Sequence, residues 1–307
     1  MKNKSILLTA CSSLVCFIII FYLYTSDGNK NKMYILIPIA LGSVVCYKLN
    51  KKWFNKQKNE LINKESWDYP PTIKLKKKYI IAFSIVALFL YKLFEQVFQT
   101  EDDSKNQEAL YAYYHDVSMI EGTLNSGVFT PIVEEILFRG LLLILISSIG
   151  LLIIEKLPIN YQLKMKYVFN IVFVIIATII FGYIHVMFAG DYDKIYPYLF
   201  SGLILSTAYI LTKTLYVSTL IHMLSNTMVA LATYNGYILN CLIILLILYM
   251  IYIVTTGIYI NRYYFGRILE KSERRNEKNN NSSFLKTVKD MIVFIKHVNK
   301  CIFYKSK

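Results

Sequence analysis

The stretch TPIVEEILFRGLLLILISSIGLLII, residues 130–154, decides how the chain is read. As a helix it is long and apolar enough to cross about 30 Å of hydrocarbon. Near one end, however, it carries Glu134, Glu135 and Arg139. Ionisable groups at membrane depth are costly, so they face a bundle interior or a wet cavity and mark a functional site.

Working outward, runs of similar length and greasiness recur, and together they predict spans over 5–25, 33–49, 79–98, 129–154, 167–188, 196–213, 216–235 and 237–260. The composition agrees, with 55% apolar residues and a mean hydropathy of +0.42 over 307 residues. This pattern excludes an ordinary water-soluble core. It predicts an all-α, polytopic membrane helical bundle of about eight transmembrane helices. No internal repeat is present. The organisation reads as N-terminal helices and loops over 1–128, a core over 129–235, a last span over 236–262 and a basic tail over 263–307.

The net charge of +14 is distributed as the loops of a membrane protein are, and not as a nucleic-acid-binding face, so no nucleic-acid partner is expected. Residues 47–78 hold ten Lys against three acids, with Pro70-Pro71 breaking any helix, and should be cytoplasmic. Residues 100–122 carry six acids and one Lys and belong on the opposite side. Counting spans outward from these loops predicts both termini in the cytoplasm of a multi-pass cell-membrane protein. From Asn261 onward twelve Lys and Arg face four acids. In that tail Phe284, Val288, Met291, Ile295, Val298 and Ile302 recur at helical spacing opposite lysines, the pattern of an amphipathic helix on the anionic inner leaflet. The polar residues 274–283 before it read as a linker.

Cys11, Cys16, Cys46, Cys241 and Cys301 form no CxxC pair or other metal spacing and read mainly as small apolar residues. The sequence ending at Cys11 resembles a lipoprotein cleavage box. The apolar run before it is too short for a signal peptide and continues past it to Tyr24, so an uncleaved first span is expected.

Within the predicted spans, Lys92 and Glu95 lie near a span end, where they can snorkel. Other ionisable side chains concentrate in three places: PIVEEILFRG, FGYIH and STLIHMLSN. Thr130-Pro131 is a helix-start signal with proline at the first helical position. Glu135 and Arg139, four apart, share a face and neutralise each other, a structural role. Glu134 points about 100° away and its neighbour four residues on is Phe138, so it has no partner on its own helix. Such an acid suits taking and returning a proton. Phe181 and His185 share one face, as do His222 and Asn226. Glu134, His185, His222 and Asn226 supply a base, a water-orienting group and oxyanion donors, the parts needed to hydrolyse an amide.

The ordered set Glu134-Glu135-x-x-x-Arg139, Phe181-x-x-x-His185 and His222-x-x-x-Asn226, all within apolar spans, resembles the CPBP family of intramembrane proteases, also called Abi, over roughly residues 125–235. No motif position departs from that family's pattern. The family includes CAAX prenyl-protein endopeptidases and bacterial bacteriocin-processing or immunity proteins. The resemblance implies an intramembrane endopeptidase acting on a membrane-associated or lipidated peptide or protein. Glu134 and His185 would activate water, His222 and Asn226 would hold the oxyanion, Glu135 and Arg139 would support the site, and Phe181 would pack beneath His185. No cofactor is required by this scheme, but two His and one Glu (Glu134, His185, His222) could equally hold Zn²⁺ with an open water position. Metal-free, glutamate-based catalysis is the favoured version. Two other classes share some of these features: a non-proteolytic membrane immunity or scaffold protein of the same fold, and a proton-coupled transporter. The transporter lacks support from any inverted repeat.

Overall fold

The computed structural model describes residues 2–26, 33–61, 77–97 and 104–276. The chain is an all-α polytopic membrane bundle. Its helices are α1 (Lys2–Thr25), α2 (Met33–Leu61), α3 (Lys77–Val97), α4 (Lys105–Asp116), α5 (Met119–Ile154), α6 (Ile159–Met187), α7 (Tyr196–Thr212), α8 (Leu215–Tyr234) and α9 (Gly236–Asn276). Among the described residues no strand occurs, and six helices are long and apolar enough to cross a membrane. The apolar part of α3 and the whole of α7 are shorter. Each of the eight apolar runs falls on a helix. The amphipathic helix expected in the tail, the linker beyond Asn276, Pro70-Pro71 and the acidic residues 101–103 lie outside the described residues.

Four boundaries differ from those read in the sequence, one of them the end of α9, which runs on to Asn276. Helix α2 continues to Leu61, because its lysine-rich extension is made of good helix formers once hydropathy stops being the criterion. Helix α6 starts at Ile159, before its apolar run. Helix α5 starts at Met119, capped by Ser118, and Thr130 therefore does not open it. A wide π turn over Asn125–Phe129 immediately precedes Pro131 and loosens the backbone ladder where proline has no N–H to offer, so the helix passes through.

Two compact units divide the chain. Residues 1–72 and 84–239 form the first and contain the candidate site. Residues 73–83 and 240–307 form the second; its described part of α9 turns Ile244, Leu248 and Ile251 outward, as a lipid-facing helix does.

In the first unit α1 packs along α2 and the C-terminal part of α5, α6 packs along α7, and α8 crosses the N-terminal half of α5. Side-chain hydrogen bonds join α1 to α2: Thr9 Oγ1 donates to Gln57 Oε1 at 2.7 Å, Gln57 Nε2 to Ser5 Oγ at 2.8 Å, and Ser13 Oγ to Asn50 Oδ1 at 3.2 Å. In lipid such bonds contribute roughly 0.6 kcal/mol each, and they also set the register of the pair. Small residues bring α6 and α7 close: a Cβ on Gly202 would stand 3.1 Å from Thr178 Cα and 3.3 Å from Phe181 Cβ. The apolar core centres on Leu142, Ile146, Phe173, Ala177 and Tyr209, with Phe17 of α1 against it. After α6 the chain turns at Gly190, whose φ of 72° is the left-handed conformation that ends helices, and this turn delivers Asp191 to the start of α4.

Candidate active site

Glu134 and Glu135 lie on a short α-helical piece of α5, Thr130–Glu135, between two π turns, Asn125–Phe129 and Ile136–Leu141. Each wide turn inserts one residue and rotates the rest of the helix by about 100° relative to a regular one. Both carboxylates on this piece are buried. Such π turns recur at functional sites.

Glu135 is fully buried and has two partners. Arg139 Nη1 donates to its Oε1 at 2.9 Å, and His222 Nδ1 lies 3.1 Å from the same oxygen. Arg139, also fully buried, further donates from Nη2 to the Gly202 carbonyl at 3.1 Å and from Nε to Ser206 Oγ at 3.3 Å. Its guanidinium stands 4.6 Å from the Phe181 ring centroid. The charge of Arg139 is thus paired, hydrogen-bonded and laid against an aromatic face, the conditions under which a buried ion is tolerated.

Glu134 faces the other way. Tyr24 Oη of α1 donates to its Oε1 at 2.6 Å. Its Oε2 is buried, has no protein hydrogen-bond partner, and stands 3.6 Å from His222 Nε2 and 3.9 Å from His185 Nε2. These separations are too long for direct bonds and too short for a water in line between them, so a water that bonds both groups would lie to their side, in the cavity.

The imidazoles are oriented by their other nitrogens. His185 Nδ1 lies 2.7 Å from the Phe181 carbonyl, which can only accept, so Nδ1 carries the proton and Nε2 of the neutral ring is an acceptor. His222 Nδ1 faces the Glu135 carboxylate, which likewise only accepts, and its Nε2 is turned towards Glu134. Phe181 packs against both rings, at 4.4 Å from His185 and 5.7 Å from His222, and Tyr198 stacks on the other side of His185 at 4.7 Å.

All three groups line one cavity of about 380 Å³. Asn226 lines it too, with Nδ2 donating to the Ser126 carbonyl at 3.1 Å, so its amide is one turn of α8 away from His222 and does not touch Glu134. The outer wall is α4, through Lys105, Asn106, Gln107, Leu110 and Tyr113. Asn125 Nδ2 donates to Tyr113 Oη at 2.8 Å. Burial raises the Tyr113 phenol above its ordinary value and keeps it a neutral hydroxyl.

The sequence-derived set therefore divides. Glu134, His185 and His222 converge; Glu135, Arg139 and Phe181 surround them; Asn226 sits on the same wall at one remove. Sequence reasoning missed Tyr24, Tyr198, Gly202 and Ser206. No pattern could have singled out Tyr24 among 26 tyrosines at the end of an otherwise apolar run.

For Zn²⁺, two imidazole nitrogens and a carboxylate oxygen are suitable donor types. Among the described residues, however, no group of three or more His, Cys, Asp or Glu is arranged to hold a metal ion, and one oxygen of Glu134 is already committed to Tyr24. The arrangement as it stands does not fit a metal centre.

Fold and site define a polytopic helical membrane protein with a buried acid–imidazole centre. Residues 117–228 match the family model described as type II CAAX prenyl endopeptidase Rce1-like, so this stretch of the chain is similar to that family. No curated protein and no solved structure matches the chain.

Proposed function

We propose that the protein is an intramembrane endopeptidase that hydrolyses a peptide bond in a membrane-associated or lipidated peptide or protein. The observation that carries this reading is the buried Glu134 Oε2 facing two imidazole Nε2 atoms at 3.6 and 3.9 Å across a cavity large enough for a peptide segment.

A water lodged in the cavity beside Glu134 and His185 gives up a proton to this pair as its oxygen attacks the carbonyl carbon. The negative charge that forms on the carbonyl oxygen is met by Asn226, once its amide turns from Ser126, and by Nε2–H of His222 when both ring nitrogens carry protons, since Nδ1–H already faces Glu135. Collapse of the tetrahedral intermediate breaks the C–N bond, and the proton passes from Glu134 to the leaving amine. Arg139 and Glu135 hold the ring of His222 and take no part in the bond changes. Exclusion of bulk water by the surrounding helices strengthens each of these interactions. The family match favours a prenylated protein as substrate. The lysine-rich loop and tail favour cytoplasmic termini and an anionic inner leaflet as neighbour.

The test is mass spectrometry of membranes from cells carrying wild-type or Glu134→Gln protein. The expected result is a membrane peptide or protein that accumulates uncut with Glu134→Gln; identical peptide profiles would remove the proteolytic reading.

A further inference from the structure

Helix α1 lies entirely outside residues 117–228, the stretch that matches the family model, yet it contributes to the cavity wall and makes a direct hydrogen bond to the proposed base. Tyr24 is buried, with only 8% of its surface exposed, and its hydroxyl donates to Glu134 Oε1 at 2.6 Å. On the far oxygen of the same carboxylate the two imidazoles converge at 3.6 and 3.9 Å. A carboxylate turns freely about its last torsion unless something holds one oxygen. Here a single donor from another helix does so, and the torsion that satisfies Tyr24 is the one that aims Oε2 at His185 and His222.

The end of α1 is itself fixed. Phe17 packs edge-on against Phe138 of α5 with centroids 6.0 Å apart, and the α1–α2 hydrogen bonds of Thr9 and Ser13 set the register of the whole helix. Phe21 and Thr25, on either side of it along α1, line the cavity with Tyr24. A one-residue slip of α1 would swing Tyr24 away by about 100° and free the carboxylate.

We infer that Tyr24 is the positioning residue of the site: it locks Glu134 through Oε1, so the N-terminal helix is an integral part of the hydrolytic centre and the matched core is incomplete without it. This inference rests on Glu134 acting as the base. Removing the hydroxyl alters the aim of the base and leaves the apolar wall of the pocket unchanged.

The experiment compares purified wild-type, Tyr24→Phe and Glu134→Gln proteins in lipid nanodiscs, using a quenched fluorogenic peptide that carries a farnesylated cysteine followed by three residues. Tyr24→Phe keeps the ring, so folding is checked only by monodispersity. Expected is a kcat lowered roughly ten- to a hundredfold with KM within about twofold. An unchanged kcat, or a raised KM alone, would overturn the positioning role and leave Tyr24 as a wall residue. If wild-type protein does not cut the peptide, isotope-edited infrared spectroscopy supplies the second readout. The carboxylate band missing in Glu134→Gln then identifies Glu134. Its displacement in Tyr24→Phe supports the positioning role even though the proteolytic reading has lost ground, and an undisplaced band overturns it.

Discussion

His222 Nδ1 stands 3.1 Å from Glu135 Oε1, and both side chains are buried. This contact ties the second motif acid to the third motif's imidazole, and through Arg139 to α7. Glu135 serves as the hub that joins α5, α7 and α8 around the cavity. Replacing it by alanine strands the Arg139 charge and frees the His222 ring. Glu135→Ala should cost about 3–5 kcal/mol of stability, and Glu135→Gln, which keeps an acceptor, distinctly less. Thermal unfolding in detergent micelles measures both, and equal losses would contradict the hub.

His185 should separate function from stability. Its side chain is 16% exposed on the cavity wall. His185→Ala is expected to leave thermal unfolding within about 1 kcal/mol of wild type while abolishing peptide cleavage. Phe181, one turn earlier and 1% exposed, packs on Phe138, both histidines and Arg139. Phe181→Ala should cost about 3–5 kcal/mol, measured by the same unfolding assay.

At Gly202 there is no room for a methyl group. An added Cβ would meet Thr178 Cα at 3.1 Å and the Thr178 carbonyl oxygen at 3.2 Å, backbone atoms that cannot step aside as a side chain can. Gly202→Ala should push α7 from α6 and pull the Gly202 carbonyl away from Arg139, at a cost of about 1–3 kcal/mol. A midpoint equal to wild type in thermal unfolding would show that the two helices shift without penalty.

The wall formed by α4 is held at its first turn. Lys105 N–H donates to Asp191 Oδ2 at 2.7 Å, and Ser104, its N-cap, bonds Tyr198 Oη at 2.5 Å. Asp191 also places negative charge at a helix N-terminus, a favourable position. Asp191→Ala should lower stability by only about 1 kcal/mol but speed amide hydrogen exchange selectively over residues 105–116. Exchange there no faster than wild type would mean that α4 is held elsewhere.

The sequence by itself determined the membrane character and the participants of the site that obey local rules. Hydropathy is summed along the chain, so each of the eight apolar runs could be recognised without knowing its neighbours. A four-residue spacing puts two side chains on one helix face whatever the helix packs against, so the Glu135–Arg139 pair was legible, as was the absence of an intrahelical partner for Glu134. Tertiary structure alone decided the rest. The donor for Glu134 lies 110 residues away in the chain, the acceptors for Arg139 more than 60, and the carboxylate for His222 87. The two π turns that flank both acids interrupt the regular repeat on which any reading of helix faces depends. Hydrogen bonds between helices answer to distance in space, and a chain without internal repeats leaves no periodic trace of which helices will be neighbours.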